Sequence, residues 1–161
     1  MNSKDSSLIP RSTGWLRILQ LGLAMSGAGW GISFCFTFSS WTTGSAILAQ
    51  MGAGQLDYDP MLNYWLKMAS AAFGCIGIAS GLACIWPVAF EKLVYLLGPF
   101  HAFLGVVLAI SAFSNELRND QHPTFIADIT FCFTTALLIS LPLLVAKFRG
   151  DSEKAEDLGN C

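Results

Sequence analysis

The chain has 161 residues, of which 53% are hydrophobic and only 12% charged, and its formal net charge is -2. A soluble domain carries about a quarter charged residues, so the polar surface is too small to cover a globule in water. The length holds one domain and no separate soluble catalytic unit, and the near-neutral charge without a basic run excludes nucleic acid as a partner.

Four uncharged stretches dominate: Ile18–Phe38, Met68–Phe90, Leu93–Asn115 and Ile129–Ala146. A helix needs about 20 mainly apolar residues to cross about 30 Å of hydrocarbon. The expected fold is all-α, a four-transmembrane-helix antiparallel bundle over residues 15–149. Its spans are about 15–38, 61–90, 93–115 and 123–147, with the lipid bilayer as the first partner.

Residues 1–14 read as a flexible head, polar and interrupted by Pro10 and Gly14. Lys4, Arg11 and Arg17 precede the first apolar stretch as in a signal peptide. The stretch exceeds the roughly 7–15 residues of a signal core, so an uncleaved span is expected. Trp15 stands where an interfacial aromatic would. Gly27 and Gly31 are spaced G-x-x-x-G, and span two repeats the device with Gly77 and Gly81, preceded by Gly74. Helices in lipid associate by close packing, which small residues permit. These five glycines are the expected helix-packing positions, with spans one and two in contact. Homo-oligomer contact is the alternative use of the same faces.

Residues 39–60 form the longest connection. The run Ala46-Ile47-Leu48-Ala49-Gln50-Met51 is too short to cross again and predicts a short helix at the outer interface. Asp57-Tyr58-Asp59-Pro60 reads as a turn before span two. Glu91-Lys92 makes a tight turn, so spans two and three are expected to be antiparallel neighbours. Pro99 predicts a kink in span three. Span four is expected to end past Pro142 with Lys147 and Arg149, followed by a disordered charged tail, residues 150–161.

Loop charges set the orientation. Seven basic residues (Lys4, Arg11, Arg17, Lys92, Lys147, Arg149, Lys154) fall on the side of the termini, and two (Lys67, Arg118) on the other. Positive residues are retained in the cytoplasm, so both termini are expected there.

Three ionisable residues lie within spans: Lys67, His101 and Asp128. Such groups are costly in lipid and face a partner or a wet cavity. Lys67 and Asp128 both lie near the outer face and either share a depth as an ion pair, or separate, with Lys67 snorkelling and Asp128 facing the outer loop. His101 is deeper, two positions after Pro99. Its ring either bonds a carbonyl freed by the proline or serves as a proton carrier or axial ligand to heme or pigment. No metal site is expected from the acidic outer rim, whose spacing matches no calcium loop. Four of the five cysteines, Cys35, Cys75, Cys84 and Cys132, lie inside the apolar stretches and read as buried thiols. No catalytic motif occurs, so no catalytic residue and no cofactor is assigned.

The segments Tyr64-Trp65-Leu66-Lys67-Met68-Ala69, Gly98-Pro99-Phe100-His101 and Asp128-Ile129-Thr130-Phe131-Cys132, within residues 60–146, resemble the small bacterial four-helix membrane proteins of the DoxX-like kind. That resemblance implies a bacterial inner membrane and, by analogy of fold alone, redox or quinone-linked partners. Taken together, the expectation is a non-catalytic accessory or scaffold subunit of a larger membrane complex. The alternative is a redox, quinone-linked or transport component using His101 and Asp128.

Overall fold

A computed structural model describes residues 9–10, 12–118, 120, 122 and 124–159, the last ten of these by backbone alone. The described residues fold into helices α1 (Thr13–Gly31), α2 (Phe34–Phe38), α3 (Trp41–Leu48), α4 (Pro60–Ile85), α5 (Glu91–Ser114) and α6 (Phe125–Gly159), with a π-helical turn at Ala49–Ala53. Four helical segments are long and apolar enough to cross a bilayer: Thr13–Phe38, Pro60–Ile85, Glu91–Ser114 and Phe125–Arg149. Large apolar side chains such as Leu96, Phe103, Ile110, Phe113 and Leu137 are exposed, on a scale that water would not tolerate and lipid would. The chain has the build of a multi-pass membrane protein.

Local chemistry sets the helix ends. Asp59 caps α4, its Oδ1 accepting from the backbone N–H groups of Met61 (2.7 Å) and Leu62 (3.0 Å), while Pro60 opens the helix where no N–H is needed. Ser40 caps α3 by accepting from the Thr43 N–H. Helix α4 stops at Ile85, five residues before the expected end, because Trp86 precedes Pro87 and leaves the helical region.

The first span is not continuous. After Gly31 the hydrogen bonds shorten to i→i+3: Ser33 N–H donates to Trp30, Cys35 to Ile32 and Phe36 to Ser33. This is a turn of 3₁₀ geometry inside a helix, the kind of tightening that marks a hinge. It offsets α2 from α1 at the place where the backbones of α1 and α4 come closest.

The expected glycine contact between α1 and α4 is present. A Cβ on Gly77 would meet the Cα of Gly31 at 2.5 Å and the carbonyl carbon of Trp30 at 2.9 Å. A Cβ on Gly27 would lie 3.2 Å from the Gly81 nitrogen, and one on Gly74 would enter the ring of Phe34. Four further glycines serve helix contacts that the sequence reading does not assign. Gly22 and Gly29 in α1 receive Leu138 with Ile139, and Phe131, from α6. Gly98 and Gly105 in α5 receive Ser140 and Phe133, also from α6.

Helix α1 packs on α4 and α6, and α6 packs on α5, whereas α4 and α5 touch only lightly. The short connection therefore does not make spans two and three close neighbours: α1 and α6 lie between them. The apolar core is gathered by Leu19, Leu23, Ala83, Val94, Leu97, Ile139 and Leu143, with Ile9 buried against it. Ile9 and Pro10 are buried, so the head is anchored at these positions, contrary to the expectation of a flexible head through residue 14. Residues 1–8 and 160–161 lie outside the described residues.

Helix α6 corrects a second boundary. It passes Pro142 without stopping and continues to Gly159, through the stretch expected to be a disordered tail. Glu, Lys and Ala are good helix formers, and a helix already nucleated upstream is cheap to extend. Cys35 and Cys75 are exposed, not buried, and among the described cysteines only Cys132 is fully enclosed.

The glycine contacts are not symmetrical, which gives a test. Gly77→Ala must push α1 and α4 apart, because its Cβ meets backbone, and should cost about 1–3 kcal/mol. Gly81→Ala meets nothing within 4 Å and should be neutral or raise stability by a few tenths of a kcal/mol through its better helix propensity. Thermal melts of the two variants in the same detergent check the contrast.

Candidate functional site

The most enclosed ionisable group in a span is His101, whose side chain is fully buried. Helix α5 carries it, α1 and α6 contact its ring, and α4 reaches it through Ser26. Its Nδ1 lies 2.7 Å from the Leu97 carbonyl, to which it donates. The Trp30 indole N–H, from α1, points at Nε2 from 2.8 Å. An indole nitrogen only donates, so Nε2 must present its lone pair and the ring proton must sit on Nδ1. The geometry thus selects one neutral tautomer of the ring.

Ser26 of α1 lies 3.1 Å from the same Nε2 and 2.8 Å from the hydroxyl of Ser80 in α4. Ser26 and Ser80 are both fully buried. With Ser80 donating to Ser26 and Ser26 donating to Nε2, the lone pair is shared by the indole and the hydroxyl. A polar chain then joins α4, α1 and α5 inside an apolar bundle. Aromatic rings wall it in. Trp30 stacks obliquely on Phe73 (centroids 4.9 Å apart) and meets Phe131 edge-on (5.9 Å), and Phe100 stands 5.6 Å from the imidazole.

The sequence leaves two uses for the imidazole, a bond to a carbonyl freed by Pro99 or a role as proton carrier or axial ligand. The residue four before the proline is Tyr95, yet the ring bonds Leu97, on its own side of the helix. Use of Nε2 as an axial ligand, or as a place to load a proton, requires Trp30 to withdraw first. The sequence reading did not single out Ser26, Trp30 or Ser80. Their signal is helical spacing: Ser26 and Trp30 are one turn apart, and Ser80 continues the buried line Ser70, Gly74, Gly77.

Lys67 and Asp128 do not meet. The Lys67 ammonium donates to the carbonyl of Phe36 (3.1 Å) and to that of Ser39. It therefore caps the C-terminal end of α2, where free carbonyls and the helix dipole both favour a cation. This is neither the expected ion pair nor a side chain snorkelling to the surface. Neighbouring contacts also separate the two residues in depth. Gly31 lies against Gly77, ten positions beyond Lys67 in α4, and Gly29 against Phe131, three beyond Asp128 in α6. At 1.5 Å per residue the levels differ by roughly 10–15 Å.

Asp128 falls in the first turn of α6, where the helix dipole favours an anion. It shares a helical stripe with Cys132, Thr135 and Ile139, all of them buried. Asp128 itself is exposed. The core-facing stripe of α6 thus ends at an exposed carboxylate. Above it, His122 donates from Nδ1 to the Gly52 carbonyl (2.8 Å) and Thr124 donates to the Met51 carbonyl (3.3 Å). These contacts tie the π-helical turn to the start of α6. The turn is possible because Gly52 and Gly54 adopt positive φ, at 103° and 71°. Among the described residues no group of three or more His, Cys, Asp or Glu could hold a metal ion.

Two substitutions read out these contacts. Trp30→Phe keeps an aromatic ring but removes the N–H and part of the indole volume, and the lost hydrogen bond and contacts together should cost about 2–4 kcal/mol, measured by thermal melting in detergent. Exchanging the charges, Lys67→Asp with Asp128→Lys, should express no better than the worse single variant, because the two side chains have different partners; recovery in the double variant would restore the ion pair.

Comparison with family models, curated proteins and solved structures finds no match for this chain.

Proposed function

We propose that the chain is a non-catalytic accessory or scaffold subunit of a membrane complex. It would be an antiparallel four-helix bundle of the DoxX-like kind in a bacterial inner membrane, with both termini cytoplasmic. The observation that carries the reading is the saturation of His101. Nδ1 and Nε2 are both engaged by groups of the chain itself, so the imidazole serves to lock the bundle. A quinone, heme or pigment using this ring would have to displace the Trp30 indole from Nε2.

Other observations support the architecture. The Gly27–Gly81 and Gly31–Gly77 contacts run in opposite sense along α1 and α4, as do Gly22–Ile139 and Gly29–Phe131 along α1 and α6. The seven-to-two distribution of basic residues favours cytoplasmic termini. The wide band of exposed apolar side chains suits lipid and the faces of neighbouring subunits alike.

Purification in mild detergent followed by native mass analysis should recover the chain with a second polypeptide in fixed proportion. A lone species under every mild condition would remove the subunit reading. Reporter tags at the two ends should both respond as cytoplasmic, and a response on opposite faces would overturn the topology.

A further inference from the structure

Helix α6 stands beside the polar chain at His101 without a direct bond to it. Gly22 of α1 receives Ile139, and Gly29 receives Phe131. Thr135 lies midway between these two, four residues from each, while Ser26 lies four beyond Gly22 and three before Gly29. Ser26 and Thr135 therefore share one level, on the faces that α1 and α6 turn to each other. Along α5, Gly98 receives Ser140 and Gly105 receives Phe133. That register puts His101 level with Leu137, about 3 Å along α6 from Thr135 at 1.5 Å per residue. Each of the four long helices thus brings one fully enclosed polar side chain to this depth: Ser26, Ser80, His101 and Thr135.

Three of the four are hydrogen-bonded to one another. The buried Thr135 hydroxyl has no hydrogen-bond partner among the described residues. A hydroxyl enclosed in a bundle within lipid must be answered from inside. The acceptor is at hand. Ser26 accepts from Ser80 and donates to Nε2, which leaves one lone pair on its oxygen. An unanswered donor and a spare acceptor share one level, and they do not bond directly. We propose that one internal water binds between α1 and α6 at this level, accepting from Thr135 and donating to Ser26. Its second proton goes to Ser80, whose oxygen donates to Ser26 and keeps both lone pairs. About three partners is usual for a buried water. The water joins α6 to the polar chain and completes a layer drawn from all four spans. A lone bundle would hold it as well as a subunit of a complex would.

The test is water-edited solid-state NMR on the full, carbon-labelled chain in lipid bilayers, with water itself as the probe. Magnetisation from water protons should reach the Thr135 side chain at least about twice as fast as that of Ile139, one turn away and equally enclosed. Thr135→Ser should keep the transfer to Ser26. Thr135→Val, which removes the hydroxyl at nearly unchanged volume, should slow that transfer to the level of Leu23. Transfer to Thr135 as slow as to Ile139, the sign of a hydroxyl turned back onto its own helix, overturns the proposal. So does equal transfer to Ser26 in the wild-type chain and in Thr135→Val. The comparison of Thr135 with Ile139 uses the unaltered chain, so it decides the matter even where the valine variant fails to fold.

Discussion

The structure turns on one hydrogen bond, from the Trp30 indole to Nε2 of His101. Lipid offers no partner to a buried polar group, so each must find one inside the protein. Helix α5 has little direct contact with α4. Through His101, with Trp30, Ser26 and Ser80, it is nonetheless fastened to both α1 and α4. Apolar packing alone would leave the rotation of α5 weakly defined. A directional contact to a single nitrogen fixes it, and the same contact fixes the charge state of the ring.

Close packing does the rest of the work. Where water drives burial, large side chains fill the core. Here glycines let helices approach, and aromatic rings from the opposing helix fill the recesses: Phe34 over Gly74, Phe131 over Gly29, Phe133 over Gly105. Polar contacts then stitch the seams. Gln20 and Cys84 exchange hydrogen bonds between α1 and α4, the amide donating to the Cys84 carbonyl and the thiol to the Gln20 carbonyl. The end of the first span is held differently, by Lys67 on the free carbonyls of α2. One cation there answers carbonyls that the end of α2 leaves free.

The spans were legible because a run of apolar residues has a length that can be compared with a bilayer, and the α1–α4 contact because G-x-x-x-G leaves a visible spacing. Lys67, His101 and Asp128 were legible as positions, since charge in an apolar run stands out. Their partners were not. Lys67 bonds backbone carbonyls, which every residue has, so nothing in the sequence marks Phe36 or Ser39. Trp30, Ser26 and Ser80 look like ordinary span residues until the helix rotations are known. The break after Gly31 left no signal, because Ile32 and Ser33 keep helical backbone angles and only the hydrogen-bond pattern changes. The extension of α6 was obscured by composition: the charge density that suggests disorder comes from residues that also favour helix.

The capping of α2 by Lys67 has a bearing on biosynthesis. As the nascent chain leaves the ribosome, the first span emerges with the carbonyls of Phe36 and Ser39 unanswered, and their partner lies about thirty residues downstream. The C-terminal end of that span meets its cation only when the second span has emerged. The hairpin they form also carries Ser26, Trp30 and Ser80, which leave the ribosome ahead of His101. The imidazole, carried by the third span, is the last member of this polar chain to emerge.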